Sequence, residues 1–200
     1  MNKSKANAAL DMIKKAGIIR SKDMKGNGMH REYLRRLSVM GDITKIGRGL
    51  YRVKDTEITE HHNLVEACTK VQRGVICLLS ALYFHDLTTQ LPFEVWIAID
   101  NKARKPVERD FSMRVVRFSG GALTGGIEEH FVEGVRIRVY SPAKTVADCF
   151  KFRNKIGLDV ALEALRECWS KKLCTMDDLW ESARVCRVSN IMRPYLETLG

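Results

Sequence analysis

Residues 30–53 read HREYLRRLSVMGDITKIGRGLYRV, an amphipathic stretch followed by two short apolar ones. Apolar side chains recur at helical spacing in the first part, which predicts a helix from His30 to Met40 that ends at Gly41. Its apolar face consists of Tyr33, Leu34, Leu37 and Met40. Arginines occupy the opposite face, so this helix is predicted to pair a buried side with a basic one.

The second part of this segment predicts a β-hairpin. Ile43–Ile46 and Leu50–Val53 have the composition of short strands, and Gly47-Arg48-Gly49 separates them. Glycines supply the positive φ that a tight hairpin turn requires. The turn therefore presents Arg48 at the tip of a narrow basic loop.

Upstream residues predict two further helices. Residues 4–16 place Met12 and Ile13 on an apolar face, and Gly17 follows as a stop. Ser21 has the residue type that caps a short helix over residues 22–25. Three helices followed by a basic hairpin predict a winged helix-turn-helix domain over residues 1–54.

The excess positive charge of the chain is concentrated in that domain. The whole chain has a formal net charge of +10, and residues 1–54 hold 14 Lys/Arg against 4 Asp/Glu. The remaining 146 residues hold 20 of each sign. Lys and Arg gain free energy by releasing counterions from phosphates, so this concentration favours a polyanion-binding module. A basic patch that binds a membrane surface is the alternative.

The predicted helix and hairpin have the dimensions that DNA recognition needs. A helix fits the major groove, where arginines on one face reach guanine edges or phosphates, and a slim basic hairpin can enter a minor groove or follow a backbone. The residues that this pattern predicts as DNA-binding are Lys22, Lys25, His30, Arg31, Arg35, Arg36, Ser38, Lys45, Arg48 and Arg52.

The rest of the chain predicts a larger α+β domain. Residues 55–59 form a polar connector, and residues 60–200 alternate apolar helices with strands over 93–99, 113–118, 129–132 and 135–140. This pattern predicts a small, mainly antiparallel sheet followed by C-terminal helices. Ser141-Pro142 has the sequence of a helix start, and Thr175 to Asp178 resembles a capping box.

Catalytic and metal-binding motifs are sparse. No phosphate-binding loop, nucleophile elbow or paired zinc-ligand motif occurs in the sequence, and we predict neither a cofactor nor a metal. Glu94, Asp100 and Lys102 resemble the metal-binding core of restriction-type nucleases, because a continued strand would align them on one face. A Mg²⁺-dependent nuclease is therefore an alternative, although structural residues at a strand end explain the same pattern.

Two other features have ordinary interpretations. The six cysteines form no C-x-x-C pair and lie among apolar neighbours, which predicts reduced, buried thiols rather than a zinc site or a catalytic thiol. The loop with Lys102, Arg104, Lys105 and Arg109 is the densest basic cluster after residue 54. It is either a solvated loop or an auxiliary contact to nucleic acid or to a partner.

Five segments carry a resemblance to a known family. They are YLRRL at residues 33–37, IGRGLYR at 46–52, GVICLLSAL at 74–82, YSPAKTVAD at 140–148 and GLDVALEAL at 157–165. Together these segments resemble the AbiEi-type antitoxins of bacterial type IV toxin-antitoxin (abortive-infection) systems. The resemblance spans almost the whole chain, and the order and spacing of its segments make it specific.

The resemblance implies a bifunctional, non-enzymatic phage-defence protein. Its winged helix would bind inverted repeats of double-stranded operator DNA upstream of its own operon and act as a repressor, an arrangement compatible with a homo-oligomer on DNA. Its C-terminal domain would counteract a co-encoded nucleotidyltransferase-like toxin, commonly without a stable complex. The family offers no compact antitoxin motif to place on numbered residues. A winged-helix transcription factor that senses a ligand or oligomerises, without antitoxin activity, is the alternative.

Membrane insertion is not predicted. The longest apolar run, Val75 to Phe84, is interrupted only by Ser80 and is about half of the roughly 20 residues that a membrane span needs. The N-terminal segment lacks the apolar core of a signal peptide. The sequence therefore predicts a cytoplasmic protein.

Overall fold

The computed structural model describes residues 3–26, 28–47, 49–54, 59–106 and 112–199. It divides the chain into two compact units. Unit 1 comprises Met1–Val65 together with Phe131–Arg136, and unit 2 comprises Glu66–His130 together with Ile137–Gly200. Among the described residues, no helix is both long and apolar enough to cross a membrane.

The described residues between 3 and 53, in unit 1, form three helices and three strands in the order helix, strand, helix, helix, strand, strand. Its sheet is antiparallel with strand order β1-β3-β2, and both predicted hairpin strands are present. The short first strand, in which Ile18 pairs with Arg52, was not predicted. The elements are α1 (Lys3–Ala16), β1 (Ile18–Arg20), α2 (Ser21–Gly26), α3 (Glu32–Met40), β2 (Ile43–Gly47) and β3 (Leu50–Val53).

One apolar core holds these elements together. Ile13 of α1, Leu34 and Leu37 of α3, and Ile43 of β2 are all buried in it, as the helical spacing predicted for α3. The prediction that Met40 belongs to the buried face is wrong, because this residue is 72% exposed. It is the last residue of α3, where the chain turns away from the core.

A Schellman motif ends α3. Gly41 adopts the left-handed conformation with φ of 82°, its N–H donates to the carbonyl of Ser38, and that of Asp42 donates to the carbonyl of Leu37. The predicted stop at Gly41 is therefore confirmed. This turn leads α3 directly into β2.

Unit 2 is built around a five-stranded sheet of order β6-β5-β4-β8-β7. Three elements, α4, β7 and β8, have residues in both units. The elements after β3 are α4 (His62–Lys70), β4 (Val75–Ile76), α5 (Leu78–Phe84), β5 (Val95–Asp100), β6 (Met113–Phe118), α6 (Gly121–Thr124), β7 (Ile127–Val132), β8 (Val135–Tyr140), α7 (Pro142–Lys151), α8 (Arg153–Ile156), α9 (Leu158–Ser170), α10 (Met176–Cys186) and α11 (Ser189–Leu196).

The α+β class is confirmed, while the strand pairing is more varied than the sequence predicted. β4 and β5 pair antiparallel, but β5 pairs parallel with β6 and β4 pairs parallel with β8. The sheet is thus mixed rather than mainly antiparallel. Its parallel pairs join strands that are not linked by a tight turn, and hairpin signals in a sequence do not detect such pairs.

Helix α7 lies at the centre of unit 2. Pro142 through Phe150 are all buried, and Ser141 caps the helix by accepting a hydrogen bond from the backbone N–H of Lys144. The predicted Ser-Pro helix start is confirmed. The predicted capping box of α10 is also present, with Thr175 and Asp178 bonded reciprocally.

Candidate nucleic-acid interface

The N-terminus of α3 contacts the start of α2. Arg31 is the residue immediately before α3, and its Nε donates to the carbonyl oxygen of Ser21 at 3.3 Å. The side chain of Arg31 remains exposed. This hydrogen bond keeps one predicted DNA-binding residue at the junction of the two helices.

Ser21 also binds the hairpin. Its backbone N–H donates to the carbonyl oxygen of Gly49 at 2.7 Å, and its hydroxyl donates to the same oxygen at 3.3 Å. The hydroxyl that the sequence assigns to the cap of α2 thus also contacts the hairpin. Arg31 and Gly49 therefore both contact Ser21, and the helix-turn-helix and the wing meet at this residue.

Gly49 is suited to this contact by its conformation. Its φ of +73° lies in the left-handed region, and a Cβ at this position would come 2.7 Å from Oγ of Ser21. Glycine alone avoids both the conformational strain and the close approach. The glycine of the predicted turn thus also positions the base of the wing.

Glu32 neutralises part of the charge on α3. Its carboxylate accepts hydrogen bonds from Nη2 of Arg35 at 2.7 Å and from Nε of Arg36 at 3.2 Å. These two arginines hold the pKa of Glu32 down at about 2. This carboxylate is absent from the predicted site, although its spacing of three and four residues from the arginines is the spacing of helical ion pairs.

The remaining predicted residues of α3 and α2 have varied surroundings. His30 is exposed, and its Nδ1 accepts the backbone N–H of Glu32 at 3.2 Å. Together with Glu32, Tyr33 and Arg36, His30 lines a cavity of about 210 Å³. Ser38 is half-buried and Lys22 is exposed, while Lys25 lies within α2.

The predicted wing residues differ in position. Lys45 of β2 is exposed, and Arg48 lies outside the described residues. Arg52 is half-buried in the central strand β3, opposite Ile18 and Thr44. Its Nε and Nη1 are shielded from solvent and have no hydrogen-bond partner within the part of the chain that the structure describes. This placement gives Arg52 less access to a ligand than the strand pattern suggested.

The geometry of unit 1 defines a class of protein. A three-helix core whose third helix carries exposed arginines, followed by a two-stranded wing held against α2, is the architecture of winged helix-turn-helix DNA-binding domains. Residues 8–54 match the family model described as a transcriptional regulator, AbiEi antitoxin. The resemblance to AbiEi-type antitoxins is thus confirmed over these residues, which lie within unit 1. None of the curated proteins matches the chain.

Of the residues of the nuclease alternative, Asp100 and Lys102 lie together, whereas Glu94 lies at the other end of the strand. Glu94 lies before β5 and pairs with Nε of Arg114 at 2.6 Å, whereas Asp100 ends the strand and accepts the backbone N–H of Lys102 at 2.7 Å. The intervening strand is about 17 Å long, from a rise of about 3.3 Å per residue. Within the described ranges, no group of three metal-ligating side chains occurs.

Cations of unit 2 gather around one cavity. Its volume is about 790 Å³, and its charged lining combines five basic side chains with the carboxylate of Asp100. These basic residues are Lys70, Arg73, Lys102, Arg104 and Arg138. Residues 55–200 carry no net charge, so this lining is locally enriched in cations. Lys105 is exposed beside the cavity-lining Arg104, and Arg109 lies outside the described residues.

Arg117 stabilises the loop that carries two of these cations. Its Nη1 donates to the carbonyl oxygens of Asn101 at 2.7 Å and Ala103 at 2.9 Å. These bonds satisfy backbone acceptors of the turn after β5. The positions of Lys102 and Arg104 are therefore supported by β6.

A buried ion pair on α7 lies in the core of unit 2. Nζ of Lys144 lies 2.6 Å from Oδ2 of Asp148, and both side chains are almost fully buried. Nζ also lies 4.1 Å from the ring centre of Tyr140 and 5.0 Å from that of Phe118, distances at which a cation is attracted by an aromatic face. Lys144 and Asp148 lie within the resemblance segment at residues 140–148 and have no predicted role there. Oppositely charged residues four apart in an otherwise apolar helix were the available signal.

Proposed function

We propose that this chain is a DNA-binding autorepressor and the antitoxin of a bacterial type IV toxin-antitoxin system. The observation that carries the proposal is the junction at Ser21, which joins the N-terminus of α3 to the wing within the segment that matches an AbiEi antitoxin regulator. A protein of this kind represses its own operon without catalysing a reaction. Its DNA ligand would be operator inverted repeats. A homo-oligomer would bind the two half-sites of such a repeat, and their spacing would match the distance between its DNA-binding domains.

In the proposed DNA complex, α3 enters the major groove. Arg31, Arg35 and Arg36 contact base edges or phosphates, and His30 and Ser38 supplement them. Lys22 and Lys25 bind phosphates from α2, and Lys45, Arg48 and Arg52 act from the wing. Residues 1–54 would form the DNA-binding domain, residues 55–59 the connector and residues 60–200 the antitoxin domain.

A salt titration with two duplexes tests the DNA-binding roles. The full chain is compared with Arg31→Ala and Arg35→Ala on operator and on random duplex, and with Arg166→Ala, which removes an exposed cation from α9, as the matched control. Loss of a base contact weakens operator binding more than random binding, whereas loss of a phosphate contact weakens both and reduces the salt slope by about 1. Parental affinities and slopes for both variants would overturn these roles.

We assign antitoxin activity to residues 60–200, acting against a co-encoded nucleotidyltransferase-like toxin without a stable complex. Co-expression with the adjacent open reading frame tests this assignment, using the full chain and an Arg35→Glu/Arg36→Glu variant under a promoter that the chain does not control. Rescue by the variant that no longer binds operator places antitoxin activity outside the DNA-binding face.

Intact operator binding with no rescue would instead favour a ligand-sensing or oligomerising regulator. The cavity that offers a ligand site in unit 2 has a volume of about 300 Å³ and is lined by residues that include Ser141, Lys144 and Ser182. This volume is at the lower end of the range for small-molecule sites.

The cation cluster of unit 2 supports an auxiliary phosphate contact. We assign this contact to Lys102 and Arg104, because they lie on a braced loop beside Arg73 and Arg138. In the full chain, Lys102→Glu/Arg104→Glu should reduce the salt slope for random duplex. The control Lys155→Glu/Arg166→Glu, which replaces two exposed cations outside the cavity, should reduce that slope less. Equal slopes for both double variants would show general electrostatics and no specific contact.

A further inference from the structure

Two of the six cysteines lie in direct contact. Sγ of Cys168 and Sγ of Cys174 are 3.0 Å apart and share a hydrogen bond. Cys168 lies in the last turn of α9, and Cys174 lies two residues before α10. The backbone N–H of Leu173 donates to the carbonyl of Cys168 at 3.1 Å, so the connecting turn itself folds back and holds the thiols together.

Cys174 differs from the other cysteines, including Cys168, in accessibility. Cys68, Cys77, Cys149 and Cys186 are buried, whereas Cys174 is half-buried. Cys174 lines the cavity of about 300 Å³ beside Leu173 and Asp178. A small solute in that cavity therefore reaches Cys174 first, with the buried Cys168 directly behind it.

The two thiols are also chemically unequal. The hydrogen bond from Cys168 lowers the pKa of Cys174, against the opposing effects of burial and of the Asp178 charge. The same hydrogen bond, together with burial, raises the pKa of Cys168. A thiolate is the reactive form of cysteine, so Cys174 has the properties of an attacking thiol and Cys168 those of a resolving one.

We propose that Cys168 and Cys174 form a redox-active dithiol that hydrogen peroxide converts into an intramolecular disulfide. The thiolate of Cys174 attacks one peroxide oxygen, the O–O bond breaks, and Cys174 becomes a sulfenic acid. The other oxygen leaves as hydroxide and takes up the proton that the Cys174 thiol had released, which gives water. Sγ of Cys168 then attacks Sγ of Cys174 and displaces the hydroxyl group as a second water. The two thiols lose two electrons and two protons in total, and the peroxide accepts them.

Closing the bond requires only a local movement. The sulfur atoms must approach from 3.0 Å to about 2.05 Å. The resulting bridge closes a ring over the short turn between α9 and α10, directly before the Thr175 cap of α10. Oxidation would therefore fix the rim of the cavity without rearranging the core. This inference does not depend on the proposed DNA-binding or antitoxin function.

Peptide mapping of the full chain tests the proposal. The reduced protein is freed of reductant, treated with graded hydrogen peroxide, denatured, alkylated and digested. We expect one disulfide-linked species, joining Cys168 to Cys174 and lighter than the dithiol by two hydrogen atoms, which dithiothreitol reverses. The other four cysteines should remain fully alkylated and serve as internal controls.

Variants separate the two roles. Cys174→Ser should abolish peroxide consumption by the pair, and Cys168→Ser should leave a sulfenic acid at Cys174 that dimedone labels. Cys68→Ala, which removes a thiol distant in sequence, should behave like the parent. Full alkylation of both cysteines at peroxide concentrations that oxidise free cysteine would overturn the proposal, and so would a disulfide to any other cysteine. The mapping of the unmodified chain decides the question even where a variant fails to fold.

Discussion

The carboxylate of Glu32 lies 2.7 Å from Nη2 of Arg35, one helical turn away on the face of α3 that we assign to DNA. Arg36 binds the same carboxylate at 3.2 Å. The three side chains together carry a net charge of +1 in place of the +2 of two unpaired arginines. Glu32 thus limits how strongly α3 attracts phosphates and holds the guanidinium groups in a defined direction.

Replacing Glu32 by Gln should strengthen binding to random duplex and steepen its salt dependence, because both arginines then face the phosphates with their full charge. The ratio of operator to random affinity should fall, since the charge increase acts on every sequence. Fluorescence anisotropy at several salt concentrations measures both quantities. Glu197→Gln, an equal charge change at the end of α11, is the control.

The pH dependence of DNA binding by Glu32→Gln provides a second test of the ion pairs. The pKa of Glu32 is lowered to about 2, so the ion pairs persist throughout the range from pH 5 to pH 8. The difference in DNA affinity between parent and Glu32→Gln should therefore be constant across this range. A difference that disappears toward pH 5 would contradict the pairing.

Replacing Gly49 by Ala should destabilise unit 1 and weaken DNA binding. The left-handed conformation costs a residue with a Cβ about 1–2 kcal/mol, and the added atom also meets Oγ of Ser21. The double variant Ser21→Ala/Gly49→Ala removes the close approach but keeps the strained φ. Recovery of part of the loss, measured by thermal unfolding and by DNA affinity, would assign that part to the contact with Ser21.

Replacing Lys144 by Met should destabilise unit 2 by about 3–5 kcal/mol, because it leaves a buried carboxylate without its cation. Burial raises the pKa of Asp148 and Lys144 opposes that rise, so removal of the lysine favours protonation of Asp148. The double variant Lys144→Met/Asp148→Leu should recover much of the loss. Urea unfolding followed by tryptophan fluorescence reports on unit 2, since Trp96, Trp169 and Trp180 all lie there.

Glu133 should make the stability of unit 1 dependent on pH. Burial raises its pKa, but His62 at 2.7 Å and two hydrogen bonds from Thr59 outweigh this, and the pKa is lowered below its ordinary value of 4.5. A lowered carboxylate pKa contributes stability above the unfolded-state value, and this contribution is lost as the pH falls through the folded-state value. Hydrogen exchange of unit 1 amides at pH 7 and pH 4 should show this loss in the parent and a smaller one in Glu133→Gln.

Local patterns predicted the helices and the hairpin of unit 1 well. The spacing of Leu34 and Leu37 indicated the buried face of α3, and Gly41 indicated its end, because both signals arise between residues a few positions apart. Very short strands were missed. The apolar run that starts at Val75 contains the strand β4 before α5, and its sequence gives no sign of this division, since an all-apolar run has no periodicity to distinguish a strand from a helix.

The sequence predicted which cations belong to the candidate site, but not how these side chains are paired and buried. Arg31 and Lys45 are exposed as the pattern indicated, but the pairing of Arg35 with Glu32 and the half-burial of Arg52 change what each can contact. The contact between Cys168 and Cys174 was likewise not anticipated. A spacing of six residues brings two thiols together only when the turn between them folds back.

The amino-acid sequence alone determined where the basic charge lies, which residues build α3 and the wing, and the α+β class of the chain. These properties follow from composition and from interactions between near neighbours. Only the tertiary structure decided that Ser21 joins Arg31 to Gly49, that β4 pairs with β8, and that Nζ of Lys144 lies over the ring of Phe118. These relationships depend on contacts between segments far apart in the chain, and the free energy of such contacts is defined only once the chain has folded.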